Sequence, residues 1–231
     1  MASDEPGATA RADDLRELDA LERETDRTAI FLRGLTPEDW HLPTRCPPMS
    51  VLDLASHTLR AVARVADVLD AGPLEQEAEK DAATYYRFDR DEVSPGVLAR
   101  AQADAAMHRD GQGLLHAWEA LGAIIDRARR APDVVYPSIL GAIRLREYLR
   151  TRVVEMTIHH MDLRDALGQP PDPDSAALEV TADVLRQLLG TDLRPAVDDV
   201  RFALIGTGRA PLDHAERAAL GPLADLFPLL A

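Results

Sequence analysis

Hydrophobic residues recur at intervals of three and four along most of the chain, which is the spacing of amphipathic helices. The pattern predicts helix 1 over 11–35, helix 2 over 51–72, helix 3 over 95–130 with a loosened stretch at "RDGQG", and helix 4 over 138–167. Ser50 is suited to cap helix 2, and glycines follow helices 2 and 4 where those helices should end. The expected fold class is therefore mainly α.

A long polar connection separates helix 2 from helix 3. Residues 73–95 show little periodicity and far exceed the roughly 2–8 residues usual between neighbouring helices. Such a connection lets helix 3 begin at the end where helix 2 began. The sequence thus predicts a four-helix bundle with a long crossover between helices 2 and 3.

The C-terminal part is expected to add a small extension. Its pattern predicts a fifth helix over 175–190 and a short strand, "VRFALIG", over 200–206. The expected division is a bundle over 1–170 and a small α/β extension over 171–231 that packs on it.

Charge and cysteine content narrow the classes of partner. The chain has 26 basic and 40 acidic residues, a net charge of -14, which disfavours nucleic acid and anionic membranes as partners. One cysteine, no apolar run of about 18 residues and an acidic start without a secretory signal predict a cytoplasmic protein. Composition leaves the oligomeric state open, a homodimer included.

Helix 4 carries a polar stripe beside apolar residues in the stretch "RTRVVEMTIHHMDL". The residues of the stripe fall within one arc of the helix: Arg152, Glu155, His159 and Asp162. On helix 2, His57 lies on the side that should face the interior. Two imidazoles and a carboxylate converging from two helices form a donor set for a divalent metal with an open position.

Structural alternatives remain open for each of these residues. A Glu-x-x-x-His pair is often a solvated contact, and an interior histidine often bonds a backbone carbonyl. Arg152 and Asp162 either orient Glu155 and His159 or form an ion-pair ladder. His160 is expected to face another helix. Cys46 is expected to be buried beneath helix 2, without a nucleophilic role.

Two motifs resemble the DinB-like superfamily, in particular the N-terminal domain of mycothiol-dependent maleylpyruvate isomerase. "PTRCPPMSVLDLASHTLR" resembles that family's helix 2 motif, and "REYLRTRVVEMTIHHMDL" resembles its helix 4 motif. The tail "GTGRAPLDHAERAALGPLADLFPLL" is similar to the tails of small proteins of the group. The resemblance implies that His57, Glu155 and His159 bind a divalent metal, zinc in this family, and that mycothiol is the thiol cosubstrate.

The function implied is a metal-dependent thiol S-transferase or a mycothiol-dependent isomerase acting on a small electrophile. A metal-bound thiolate would attack the electrophile; it would stay on in S-transfer and depart after bond rotation in isomerisation. The alternatives are a metal- or ligand-binding stress or resistance protein without catalysis, and a non-haem iron enzyme.

The remaining candidate residues come from the same resemblance, from the polar stripe on helix 4 and from the crossover. "CPPM" stands where the family has "CPGW", which places Met49 in the wall of the site. Arg209 in "GTGR" takes the place of a catalytic arginine that the isomerase carries in a separate domain, and Arg152 is a second catalytic candidate. In the crossover, a cluster is expected to cover the open end, although a solvated loop is the competing interpretation: Tyr85, Tyr86 and Arg87.

Overall fold

The protein is mainly α-helical, as predicted, in a computed structural model that describes residues 16–87, 90–108, 110–190 and 197–230. Residues 11–15, which begin the predicted helix 1, lie outside the described residues. Within the described ranges, no helix combines the length and the apolar character needed to cross a membrane.

The long helices are joined by short helices and one hairpin. In chain order the helices are α1 (Arg16–Arg33), α2 (Val51–Ala71), α3 (Ala82–Tyr85), α4 (Arg90–His108), α5 (Gly111–Trp118), α6 (Leu121–Arg130), α7 (Leu145–Ala166), α8 (Ser175–Leu189), α9 (Asp199–Gly206) and α10 (His214–Leu220). The antiparallel strands are β1 (Val135–Ser138) and β2 (Gly141–Arg144). Short 3-10 turns occupy Asp39–His41 and Gly221–Leu226.

Helix α2 begins at the predicted cap. The Ser50 hydroxyl accepts a hydrogen bond from the Asp53 backbone N–H at 3.2 Å, and the Asp53 carboxylate accepts one from the Ser50 N–H at 2.9 Å. This reciprocal capping box satisfies two N–H groups that a helix start leaves without partners. It sets the start, and so the rotation, of the helix that carries His57.

Helix α7 is the centre of the fold. It packs against α1 and α2 on one side and against α8 on another, while α6 contacts both α1 and α2. One apolar cluster includes Leu149 and Met156 of α7, and a second includes Val154 and Ile158 together with α8 and α9. Fifteen of its 22 residues are buried, so α7 has apolar neighbours around most of its circumference.

The predicted helix 3 is three helices, α4, α5 and α6, and α4 begins five residues earlier than predicted. The break falls in the stretch expected to be loosened. Asp110 caps α5 by accepting a hydrogen bond from the Gly113 N–H at 2.9 Å. A Cβ at Gly113 would lie 2.2 Å from the His108 carbonyl oxygen, so a residue with a side chain would force this turn apart.

Two other predictions about secondary structure were wrong. The predicted helix 4 starts at Leu145 rather than at 138, because residues 135–144 form the β hairpin. The predicted strand over 200–206 lies in helix α9, which Asp198 caps and which buries Phe202 and Ile205 against α8. A short apolar run fits a strand or a buried helix equally well, and here the contact with α8 decides.

Candidate metal centre

The three predicted metal ligands lie together at the contact between α2 and α7. The Glu155 Oε2 atom is 3.5 Å from Nε2 of His57 and 3.4 Å from Nε2 of His159. The two imidazole rings meet edge to face, with centroids 5.1 Å apart. One ligand atom from each of the three residues lies within 4.8 Å of the others. The side chains are 14–22% exposed, so the cluster is neither sealed in the core nor on the open surface.

The positions of these side chains follow from the two helices. Glu155 and His159 are one turn apart on α7, which puts both on the same face. His57 lies on α2 between the buried residues Leu54 and Ala61, and therefore faces α7. The packing of α2 on α7 thus brings His57 into contact with both Glu155 and His159, which are distant from it in the sequence.

Hydrogen bonding opposes the effect of burial on the pKa values of Glu155 and His159. Burial alone would raise the pKa of Glu155, but hydrogen bonds from His159 and His57 hold it well below its usual value. Burial alone would lower the pKa of His159, but hydrogen bonds with Asp162, Cys46 and Glu155 raise it well above its usual value. A carboxylate therefore stands ready as a ligand, while His159 must release a proton to bind a metal.

Asp162 holds the far side of His159. Its fully buried carboxylate lies 3.0 Å from Nδ1 of His159, and it accepts hydrogen bonds from Nη2 and Nε of Arg209 at 2.8 and 3.1 Å. Those partners keep the pKa of Asp162 low despite burial, which acts to raise it. A metal-bound imidazole typically donates its other N–H to a carboxylate in this way, so the residues fit a metal.

The two predicted catalytic arginines line the cavity beside the cluster, but their donors bond other groups. Arg209 donates to Asp162 and to the Thr207 carbonyl at 2.8 Å. Arg152 donates to the Thr151 hydroxyl at 3.0 Å and the Ala61 carbonyl at 3.3 Å. Its charge still helps to lower the pKa of Glu155. Their catalytic roles stay predictions, and their observed contacts are those of groups that hold the site in place.

The cluster opens into a cavity of about 500 Å³, and most of the predicted wall residues line it. Met49 and Tyr85 lie on the wall, as does Tyr86, whose hydroxyl donates to the Thr151 carbonyl at 2.9 Å. Tyr85 is 4% exposed, which is inconsistent with a solvated loop at this point. Arg87 is exposed and is not among the described residues that line the cavity.

The structure contradicts the predicted burial of Cys46 and confirms that His160 faces another helix. Cys46 is half-buried and lines the cavity, with Sγ 3.4 Å from Oδ2 of Asp162, so the prediction of burial beneath helix 2 was wrong. It forms a second possible ligand group with His159 and Asp162, although Asp162 is already bonded to Arg209. His160 faces another helix, as predicted, with Nδ1 2.7 Å from the Glu24 carboxylate of α1.

Sequence reasoning missed a group of arginines on the cavity wall: Arg60, Arg64 and Arg100. On α2, the first two follow His57 by three and seven residues, so the same helical face could have indicated them. Arg100 lies on α4, and no local sequence pattern predicts that α4 contacts α2.

Comparison with known proteins identifies the family of the chain but no individual relative. No curated protein and no solved structure matches it significantly. A family model described as the mycothiol maleylpyruvate isomerase N-terminal domain matches residues 21–164, more than half of the chain. That range contains all three residues of the cluster, and the chain therefore belongs to the family of mycothiol maleylpyruvate isomerase N-terminal domains.

Proposed function

We propose that this protein is a metal-dependent enzyme that uses mycothiol in S-transfer to, or isomerisation of, a small electrophile. The observation that carries the proposal is the convergence of His57, Glu155 and His159 at the wall of a cavity of about 500 Å³. The family's description, which names mycothiol and an isomerase, supports the same choice of thiol.

The donor set favours a catalytic site over a structural one. Structural zinc sites usually have four protein ligands, whereas catalytic sites have three and leave a position for a substrate or water. Here two imidazole nitrogens and one carboxylate oxygen lie within 4.8 Å of one another beside the cavity. A divalent metal held there would lower the pKa of a ligated thiol, so that its sulfur would react as a thiolate at neutral pH.

Residues around the metal ligands would hold those ligands in the orientation that metal binding needs. Asp162 would retain the Nδ1 proton of His159 and so keep Nε2 free as a ligand. Arg209 would fix Asp162 through its two hydrogen bonds. In S-transfer the thiol proton passes to solvent, a carbon–sulfur bond forms, and the leaving group departs; in isomerisation the same bond breaks again after rotation.

The first test is metal content. Protein purified without chelator should hold about one zinc per chain, as a three-ligand site predicts, and His57→Ala and Glu155→Ala should each lose it. His116→Ala is the matched control, because His116 is an exposed histidine on α5 outside the cavity. Wild-type protein without metal, even after zinc is supplied, would refute the proposal.

The second test is turnover. Mycothiol should be consumed when it is mixed with the zinc-loaded protein and chlorodinitrobenzene, or maleylpyruvate should be isomerised in its presence. His57→Ala should abolish either reaction and His116→Ala neither. Bound zinc without turnover would favour the non-catalytic alternative. Bound iron together with oxygen consumption would favour the non-haem iron alternative.

A further inference from the structure

The cavity has a charge opposite to that of the chain. The chain as a whole has a net charge of -14. Among the described residues that line the cavity, however, five are arginines and two are carboxylates, Asp104 and Glu155. A concave wall that gathers positive charge in an acidic protein attracts anions into that cavity.

Two of these arginines are available to a ligand. Arg60 forms a two-pronged ion pair with Asp104, at 2.8 and 2.6 Å, which joins α2 to α4. Arg64 lies one turn from Arg60 on α2, and Arg100 lies one turn from Asp104 on α4. Within the described part of the chain, neither Arg64 nor Arg100 has a hydrogen-bonding or ion-pair partner. Both arginines therefore lie one helical turn from a residue of that ion pair and line the same cavity, and the Arg100 guanidinium lies beside Gly96.

Apolar side chains make up another part of the same wall. They come from four separate segments of the chain: Val97 and Ala101, Ile139 and Leu140, Val154 and Ile158, and Leu230. Ile139, at the tip of the hairpin, is 64% exposed although it is a large hydrophobic residue. Ligand cavities of roughly 300–1,000 Å³ with apolar walls and a few polar groups bind the bodies of small molecules and orient them by those groups.

We infer that the electrophile is an amphipathic organic acid, whose anionic group is bound by Arg64 and Arg100 and whose apolar body lies against the hairpin and α4. A guanidinium donates two parallel hydrogen bonds to a carboxylate or a phosphate, which makes this pair of residues a subsite for either anion. The inference rests on the proposed function, because it names the substrate class of the same cavity. The anion subsite itself consists of residues outside the metal cluster.

The test is binding of matched probes by calorimetry. Octanoate and octyl phosphate carry the two anionic groups, and octanamide is the neutral match of octanoate. We expect at least one of the anions to bind about 10- to 100-fold more tightly than octanamide, as charge-assisted hydrogen bonds from two arginines should allow. The double variant Arg64→Gln/Arg100→Gln should bind all three probes with similar affinity. Arg217→Gln, an exposed arginine on α10 outside the cavity, is the control and should retain the preference.

Two variants distinguish binding of the anion by the arginines from binding of the anion by a metal. The preference for an anion should persist in His57→Ala, which removes a metal ligand and leaves both arginines. If that variant loses the preference while the arginine double variant keeps it, the anion binds the metal and the inference is wrong. Equal affinity of wild-type protein for all three probes, or no saturable binding of any, would also overturn it. Zinc content, measured on the same samples, reports on the metal site independently.

Discussion

Asp162→Asn tests the reasoning about the metal centre most directly. The substitution keeps the size of the side chain but removes the charge that Nδ1 of His159 and Arg209 share. The amide can still accept a hydrogen bond, but it no longer stabilises an N–H donor as a carboxylate does. The ring of His159 should then be oriented less firmly, and its Nε2 should be a weaker metal ligand.

The expected magnitude follows from two separate effects. Loss of a carboxylate that orients a metal-bound imidazole typically weakens metal binding about 10- to 100-fold, or about 1.4–2.7 kcal/mol. In the metal-free protein, the substitution leaves the largely buried Arg209 without its anionic partner. Breaking a buried pair in this way costs about 3 kcal/mol of the free energy of unfolding.

The assay measures both effects on the same samples. Zinc affinity is obtained by competition with a chromogenic chelator, and the stability of metal-free protein by urea unfolding. Asp165→Asn is the matched control, because Asp165 is on the same helix with 46% of its side chain exposed, and because its partner Arg45 still has the Asp162 carboxylate 3.8 Å away. Its zinc affinity should be unchanged, and its stability should change by less than about 1 kcal/mol. Wild-type zinc affinity in Asp162→Asn would refute the role assigned to Asp162.

Three further predictions concern pH, a buried pair and a helix cap. Because the pKa of His159 is raised, the metal-free protein keeps a proton on this residue, which zinc must displace. Apparent zinc affinity, measured by chelator competition, should therefore fall about tenfold per pH unit below neutrality. An affinity that does not change with pH would contradict this prediction. Glu24→Gln replaces the buried carboxyl group that contacts His160 and accepts a hydrogen bond from the Asp174 N–H; it should lower the free energy of unfolding by about 2 kcal/mol in urea titrations, whereas no measurable change would show these contacts to be dispensable. Ser50→Ala should cost about 1 kcal/mol in the same measurement, and Ser50→Thr, which keeps the hydroxyl, should recover most of it.

The local elements of the fold were predictable where a single helix buries one face. Helix α2 follows its hydrophobic spacing and its capping residues closely, because both signals lie within a few residues of each other. Helix α9 was mistaken for a strand because a run of eight residues is too short for periodicity to separate the two. The hairpin over 135–144 was also missed, because its pairing depends on contacts across a turn rather than on a pattern within one segment.

The candidate metal centre was predictable in the type of its residues and in the part that lies within one helix. Glu155 and His159 share a face because they are one helical turn apart, and this needs no other segment of the chain. His57 was indicated by its position on the inner side of α2 and by the resemblance of its motif. The surroundings of Cys46 were predicted wrongly, because its loop reaches Asp162 across 116 positions of sequence.

The sequence by itself therefore determined the mainly helical class, the identity of three candidate ligands and the spacing of two of them. Only the tertiary structure decided that α2 brings His57 to Glu155, that Arg209 reaches Asp162, and that Arg64 and Arg100 line the same cavity. The physical reason is the range of the interactions. Helical periodicity and capping act over a few residues, whereas the packing of one helix on another depends on the summed burial of many side chains distant in sequence.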